Sequence, residues 1–128
     1  MPQWQNVGEK YKHWERGALW LWGEPQEGRE YIIGVDCAEG VREGGDNSCF
    51  QIIDMQGLEQ VAEFYSNNVS PNVYAQILQQ IGVYYNTALV VIESNGVGSA
   101  VANALHMGLN YDNCNLQCCL SHLYHLKY

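Results

Sequence analysis

Two short apolar runs, each ending on an acidic residue, constrain the fold of this chain more than any other feature. The first run extends from Tyr31 to Asp36 and the second from Ala88 to Glu93. Their length and continuous hydrophobicity are typical of central strands that are buried on both faces of a sheet. The sequence therefore predicts a sheet with helices packed against it.

Two further strands are predicted after the first run. They extend from Ser48 to Asp54 and from Leu58 to Tyr65, and residues 55–57 between them form a hairpin-sized turn. Together with the first run they predict an antiparallel meander of three strands.

The rest of the chain predicts two helices and one more strand. Ser70-Pro71 predicts a helix start, because serine is a favoured N-cap and proline suits the first helical position. Apolar residues then recur at helical spacing: Val73, Ile77, Leu78, Ile81, Tyr84 and Tyr85. A second helix is predicted from about Val97 to Met107, with Gly108 as its stop. A weak strand is predicted from Cys114 to Leu120.

The resulting order is β-β-β-α-β-α-β, which predicts an α/β fold with helices on a central mixed sheet. If the first helix carries the chain back beside the first strand, the two apolar runs become parallel central neighbours. Asp36 and Glu93 then meet at the carboxyl ends of these strands, where open α/β sheets place their sites.

Two carboxylates in this arrangement repel each other unless a proton or a cation joins them. Mg²⁺ suits such an edge, because it binds one or two carboxylates together with waters and phosphate oxygens. Two ions about 4 Å apart would activate water and stabilise the leaving oxygen in phosphodiester hydrolysis. The alternative is that Asp36 and Glu93 are solvated strand ends or helix caps.

The composition limits the class of protein. The chain has 128 residues, which suffices for one domain, and its formal charge is −8. That charge argues against a nucleic-acid partner unless bound cations reverse the local field toward phosphate. The five cysteines make a poor disulfide framework, and no apolar run is long enough for a membrane span or a signal peptide. We therefore expect a soluble intracellular protein with reduced thiols and no membrane partner.

Five short stretches carry a resemblance to a known family. They are residues 34–40 (Gly-Val-Asp-Cys-Ala-Glu-Gly), 45–48 (Gly-Asp-Asn-Ser), 60–63 (Gln-Val-Ala-Glu), 85–86 (Tyr-Asn) and 90–98 (Val-Val-Ile-Glu-Ser-Asn-Gly-Val-Gly). In this order and spacing they closely resemble the nuclease domain of tailed-bacteriophage terminase large subunits. The resemblance implies a ribonuclease-H-like fold. It also implies an endonuclease that uses Mg²⁺ or Mn²⁺, with two ions, to cut concatemeric viral double-stranded DNA during genome packaging.

Carried over position by position, the resemblance makes Asp36 and Glu93 catalytic residues and metal ligands. It places Glu39 and Asp46 in the loop after the first strand, close to the metal or the phosphate, although a solvated acidic turn explains them equally well. Asn95 matches a polar position at the edge of the site, where it either contacts a phosphate or caps the second helix.

Two features of the family have no counterpart in this sequence. The family's third acid comes from a segment well beyond the second helix, where this chain has only Asp112 and no matching motif. The phosphate-binding loop of the ATPase motor, G-x-x-x-x-G-K-[ST], is also missing. We therefore expect residues 1–30 to be a linker and residues 31–128 to be a C-terminally incomplete nuclease domain.

The resemblance also implies partners and a location. The partners are double-stranded DNA, the ATPase motor domain, the small terminase subunit and the portal. ATP would act only through the motor domain, and no organic cofactor is expected. The location is the cytoplasm of an infected bacterium, at the procapsid.

Other functions fit parts of the sequence. The chain could be a catalytically silent assembly module of the terminase, or another ribonuclease-H-like nuclease such as a resolvase or transposase. A zinc site is an alternative for the tail, whose crowded ligand-type residues are Cys114, Cys118, Cys119, His122 and His125. A dinucleotide loop is an alternative for residues 96–98, although Val101 stands where that fingerprint needs glycine or alanine.

Overall fold

The computed structural model describes residues 19–37, 48–66 and 69–117. Its strands are β1 Leu19–Leu21, β2 Tyr31–Asp36, β3 Ser48–Asp54, β4 Glu59–Ser66, β5 Leu89–Glu93 and β6 Cys114–Gln117. Within the described ranges these six strands form one mixed sheet in the order β1-β4-β3-β2-β5-β6. The two apolar runs of the sequence are thus the neighbours β2 and β5 at the centre of the sheet.

The meander β2-β3-β4 is antiparallel, as predicted. Asp54 holds the turn after β3, because its Oδ1 accepts hydrogen bonds from the N–H groups of Gln56 and Gly57 at 2.9 and 3.3 Å. Arg29, just before β2, donates to Asp54 Oδ2 at 2.7 Å. Burial by itself raises the pKa of Asp54, but these hydrogen bonds and the Arg29 charge outweigh it and lower the pKa below its usual value. One carboxylate therefore ties the start of β2 to the end of β3.

The central pair β2 and β5 is parallel, which confirms the predicted arrangement. Its register sets Ile33 beside Val90 and Val35 beside Ile92, and all four side chains are fully buried. β6 continues the sheet in parallel on the other side of β5. The most apolar strands therefore lie where both of their edges are hydrogen-bonded.

Two helices within the described residues follow the predicted pattern. The first, α1, is Pro71–Tyr84, and the Ser70 hydroxyl caps it by accepting a hydrogen bond from Val73 N–H at 3.3 Å. The second, α2, is Gly96–Asn103 and continues into a single π-helical turn, Ala104–Gly108. The predicted helix over 97–107 is confirmed, with a wider last turn. Neither helix is long and apolar enough to cross a membrane.

The core lies between the helices and one face of the sheet. Its buried cluster includes Val35 and Ile92 from the central strands and Leu78 from α1. Because successive strand residues point to opposite faces, Asp36 and Glu93 lie on the other face. On that face Asp36 is exposed and Glu93 is partly exposed, so both acids reach the surface opposite the core cluster.

One strand lies in a range where the sequence pattern indicated none. β1 falls within residues 1–30, which were predicted to be a linker, and pairs antiparallel with β4. Leu19 and Leu21 are buried, so the sheet starts inside that range. A strand of three residues is too short for an alternating pattern to reveal it. The domain division at residue 30 stays a prediction, and the predicted strand positions 118–120 lie outside the described residues.

Candidate functional site

Asp36 and Glu93 lie side by side at one edge of the sheet. Asp36 is the last residue of β2, and Glu93 is the last residue of β5. The registered pair Val35 and Ile92 immediately precedes them, so the acids occupy the next facing position. Neighbouring strands lie about 4.8 Å apart, so one cation can be bound by a carboxylate from each strand. Asp36 is exposed and Glu93 is partly exposed, so solvent reaches both.

The two acids belong to a row of side chains on the face opposite the core cluster. Cys49 of β3 faces Asp36, and Gln117 of β6 faces Glu93. Burial, followed by the charges of Asp36 and Glu63, raises the pKa of the Cys49 thiol above its usual value. The thiol is therefore neutral at pH 7. The row consists of two carboxylates between neutral neighbours.

Cys37 follows Asp36 and is buried in the core. It is 2% exposed. Burial, and then the charges of Asp36, Cys49 and Glu93, raises the pKa of the Cys37 thiol to about 12. The Cys37 thiol is therefore protonated at pH 7. The negative potential of the acid pair thus extends into the interior behind it.

Asn95 joins the two strand ends. Its Oδ1 accepts a hydrogen bond from Gly98 N–H at 2.6 Å and caps α2. Its Nδ2 donates to the carbonyl oxygen of Cys37 at 3.1 Å, across 58 positions of the sequence. The helix cap, one of the two roles predicted for Asn95, is confirmed. Its hydrogen bond to Cys37 was not predicted, because nothing local in the sequence signals a contact over that separation.

Gly98 allows α2 to start directly behind Glu93. A β-carbon at Gly98 would lie 2.1 Å from the carbonyl oxygen of Glu93 and 3.1 Å from Asn95 Oδ1. A β-carbon at Gly96, in the same helical turn, would meet nothing within 4 Å. The glycine at position 98 therefore serves the close approach of a helix to a strand end. This packing accounts for Gly98 without a dinucleotide.

Tyr74 of α1 packs behind this edge, and the predicted helical face did not include it. That face included Val73, which is 39% exposed, whereas Tyr74 is 1% exposed. The Tyr74 ring stacks on Phe50 and Phe64 at centroid distances of 6.2 and 5.6 Å. Burial, and then Cys37, Cys49 and Asp36, raises the pKa of Tyr74 well above its usual value. The Tyr74 hydroxyl has no hydrogen-bond partner among the described residues. The spacing from Tyr74 through positions 77, 78 and 81 is i, i+3, i+4, i+7, which is the signal that identifies the true buried face.

Asp112, the one acid of the sequence after the second helix, does not join the acid pair. Asp112 precedes β6, which runs parallel to β5, so Asp112 lies at the opposite edge of the sheet from Glu93. There Asp112 Oδ1 is 3.7 Å from His106 Nδ1. Further predicted positions lie outside the described residues: Glu39, Asp46, Cys118, Cys119, His122 and His125. Their predicted roles stay predictions.

A divalent cation fits the chemistry of the acid pair. Carboxylate oxygens are ligands that Mg²⁺ prefers, and an exposed edge leaves room for waters and phosphate oxygens. Arg29 is the one arginine or lysine of the described residues, and it is paired with Asp54 at the opposite edge. Within the described ranges, no group of three or more His, Cys, Asp or Glu side chains is arranged to hold a metal. The described part of the edge therefore presents two candidate ligands.

Solved structures of phage proteins share this fold. The large terminase nuclease of the thermophilic phage G20c with bound magnesium superposes with a TM-score of 0.66 at 20% identity, covering 88% of this chain and 57% of that one. The same nuclease with bound zinc gives a TM-score of 0.65 at 20% identity, covering 88% and 62%. The large terminase nuclease domain of Thermus phage P74-26 gives 0.50 at 15% identity, covering 94% and 72%. This chain thus spans less than two thirds of the G20c nuclease. The shared fold, together with the match of the sequence to the family described as the terminase RNaseH-like domain, confirms the predicted ribonuclease-H-like fold.

Family membership comes from the sequence itself. The family described as the terminase RNaseH-like domain matches residues 33–119, which is more than half of the chain. The matched range contains β2 from its third residue onward, the meander, both helices and β5. It therefore includes the acid pair and Asn95. The chain belongs to the terminase RNaseH-like domain family.

Proposed function

We propose that this chain is the metal-dependent endonuclease part of a viral DNA-packaging terminase and hydrolyses phosphodiester bonds of concatemeric double-stranded DNA. One observation carries the proposal: Asp36 and Glu93 end neighbouring parallel central strands, and both reach the surface on the face opposite the core cluster. Membership of a terminase family supports a packaging nuclease over a resolvase or transposase.

Asp36 and Glu93 would hold Mg²⁺ or Mn²⁺, and our proposal has two ions. The G20c nuclease was solved with bound magnesium, cobalt and zinc, which supports the use of a divalent ion in this fold. Metal at this edge would supply an activated water and stabilise the leaving oxygen. No organic cofactor is part of the proposal, and ATP would act only through a separate motor domain.

The chain's own residues hold the site in a fixed geometry. Both acids end strands whose preceding residues, Val35 and Ile92, are fully buried, so the backbone beneath them is rigid. The neutral thiols of Cys37 and Cys49 add no further negative charge near an incoming phosphate. We propose that Glu39 and Asp46 lie on the phosphate side of the same edge.

The proposed partners follow from terminase membership. They are double-stranded DNA, the ATPase motor domain, the small terminase subunit and the portal. The proposed location is the cytoplasm of an infected bacterium, at the procapsid. The chain spans 57% of the magnesium-bound G20c nuclease, so the activity and the assembly both belong to the proposal.

We expect amide substitution of either acid to abolish cleavage. Asp36→Asn and Glu93→Gln keep the shape of each side chain but remove the charge that attracts a divalent ion. The measurement is nicking of supercoiled plasmid with Mg²⁺ or Mn²⁺, with a loss of at least about a hundredfold expected for each variant. Asp112→Asn is the matched control, since it removes one exposed carboxylate at the opposite edge and should nick like the unsubstituted chain. Equal nicking by Asp36→Asn and the unsubstituted chain would overturn the assignment.

A second candidate function is a catalytically silent assembly module. The observation that favours it is the presence of two candidate ligands, rather than three, in the described part of the edge. Titration calorimetry with Mn²⁺ and retention on DNA at low salt separate the two functions. A chain that gives no Mn²⁺ heat, no DNA retention and no nicking would be the silent module.

A further inference from the structure

Repulsion between the Asp36 and Glu93 carboxylates acts to separate the ends of β2 and β5, and another interaction has to oppose it. Two carboxylates on adjacent strands repel each other before any cation binds. The pairing of β2 with β5 ends at Val35 and Ile92, one residue short of the acids. Beyond that pair, the hydrogen bond from Asn95 to the Cys37 carbonyl joins the two segments.

The Asn95 amide is engaged at both of its heavy atoms. Oδ1 accepts from Gly98 N–H at 2.6 Å, and Nδ2 donates to Cys37 at 3.1 Å. The side chain is partly buried between the two segments. Both bonds are made within the protein, so the described geometry assigns Asn95 a place in the protein scaffold.

Asn95 stands two residues after Glu93, and its partner Cys37 stands one residue after Asp36. A single side chain thus connects the backbone next to one acid with the backbone next to the other. Gly98 completes the connection, because only a residue without a β-carbon lets the first turn of α2 lie against the Glu93 carbonyl.

We propose that Asn95 is a positioning residue that sets the spacing of Asp36 and Glu93 for metal binding. The proposal rests on the proposed function, since it presumes that the acid pair binds a divalent ion. Without the hydrogen bond, the backbone after Asp36 is free to shift away from β5, and the carboxylates occupy a wider range of separations. Groups that orient metal ligands without touching the metal typically change its affinity by 10-fold to 100-fold when they are substituted.

The test is Mn²⁺ binding by Asn95→Ser, measured by titration calorimetry and by the Mn²⁺ electron paramagnetic resonance signal. Serine is as good an N-cap as asparagine, but its side chain is too short to reach Cys37. We expect the Mn²⁺ dissociation constant to rise about tenfold. Ser70→Ala is the matched control, because it removes the cap of α1 without touching the strand ends. It should lower the melting temperature and leave Mn²⁺ binding unchanged.

A second pair of variants covers the case in which Asn95→Ser folds poorly. Gly98→Ala forces α2 away from Glu93, whereas Gly96→Ala adds the same methyl group in open space two residues earlier. We expect weaker Mn²⁺ binding for Gly98→Ala and unchanged binding for Gly96→Ala.

The outcomes separate the two proposals. Unchanged Mn²⁺ affinity in folded Asn95→Ser or folded Gly98→Ala overturns the role of Asn95 and leaves the proposed function standing. Absence of Mn²⁺ binding in the unsubstituted chain overturns the metal site, and the role of Asn95 falls with it. A tenfold loss in Asn95→Ser with a melting temperature no lower than that of Ser70→Ala supports the role of Asn95.

Discussion

Asp36 and Asp54 show how their surroundings give one residue type two different roles. Asp54 is 7% exposed and accepts hydrogen bonds from Arg29 and from two backbone N–H groups. Its charge is compensated within the protein. Asp36 is exposed and faces the neutral thiol of Cys49, so its carboxylate is accessible to a cation from solution. Asp54, at the end of β3, is thus a structural carboxylate, whereas Asp36, at the end of β2, is a candidate ligand.

The contribution of Asp54 to stability depends on pH. Its pKa is lowered in the folded chain, so the carboxylate stabilises the fold above the ordinary carboxyl pKa of about 4. That contribution is lost as the pH falls through the lowered folded value. We expect Asp54→Asn to reduce the free energy of unfolding by about 1 kcal/mol at pH 7, a modest value because Arg29 is partly exposed. Urea unfolding at pH 7 and at pH 3 or below measures the difference.

Glu27→Gln is the control for this prediction, since Glu27 is an exposed acid in the connection between β1 and β2, which also contains Arg29. The stability gap between Asp54→Asn and the unsubstituted chain should narrow at low pH, whereas Glu27→Gln should stay close to the unsubstituted chain at pH 7. A gap that is equally wide at both pH values contradicts the role of the Asp54 charge.

At the scale of elements, the start of β5 is set by a junction between α1 and the segment before β6. Ala88 donates its N–H to the carbonyl of Gly82 at 3.0 Å, and its own carbonyl accepts from the buried Tyr111 hydroxyl. A β-carbon at Gly82 would lie 2.5 Å from that hydroxyl oxygen. The junction fixes where β5 begins and therefore where Glu93 ends it.

We expect Gly82→Ala to destabilise the chain despite the helix preference of alanine. Alanine gains about 1 kcal/mol over glycine inside a helix, but the clash with the Tyr111 ring forces side-chain and backbone shifts that typically cost about 1–3 kcal/mol. Urea unfolding of Gly82→Ala, Tyr111→Phe and the double variant measures the coupling. The double variant should lose less than the sum of the single losses, and a more stable Gly82→Ala would contradict the close packing.

The elements that could be predicted from sequence are those whose signals are local. The apolar runs ending on Asp36 and Glu93 and the Ser70-Pro71 helix start are each complete within a few residues. The unpredicted features depend on distant partners or on very short segments. β1 has three residues, and the hydrogen bond of Asn95 to Cys37 spans 58 positions. The need for glycine at position 98 becomes visible only once the strand end lies beside the helix.

At the scale of the whole molecule, the formal charge of −8 opposes association with DNA. A cation at the acid pair would reverse the field locally, at the point where a phosphate has to approach. A bound divalent ion would therefore reconcile the overall charge with the proposed substrate.

We expect retention of a short DNA duplex on filters at low salt to require Mn²⁺. The double variant with Asp36→Asn and Glu93→Gln has a formal charge of −6 instead of −8. If overall charge governed binding, this variant would retain more DNA than the unsubstituted chain. If a bound cation governs it, the variant should retain less DNA in the presence of Mn²⁺, as our proposal requires. Stronger retention by the double variant with Mn²⁺ would contradict the proposal.

The parallel pairing of β2 with β5 also has a consequence for folding. The loop that must close before these strands meet includes the meander and α1, so the pairing is a contact of high sequence separation and is expected to form late. The two acids come together only in that step. A divalent ion that needs both carboxylates would then bind the folded chain and ignore earlier states, raising the thermal midpoint with ion concentration. Ion binding would in this way report that a contact of high sequence separation at the centre of the sheet has formed.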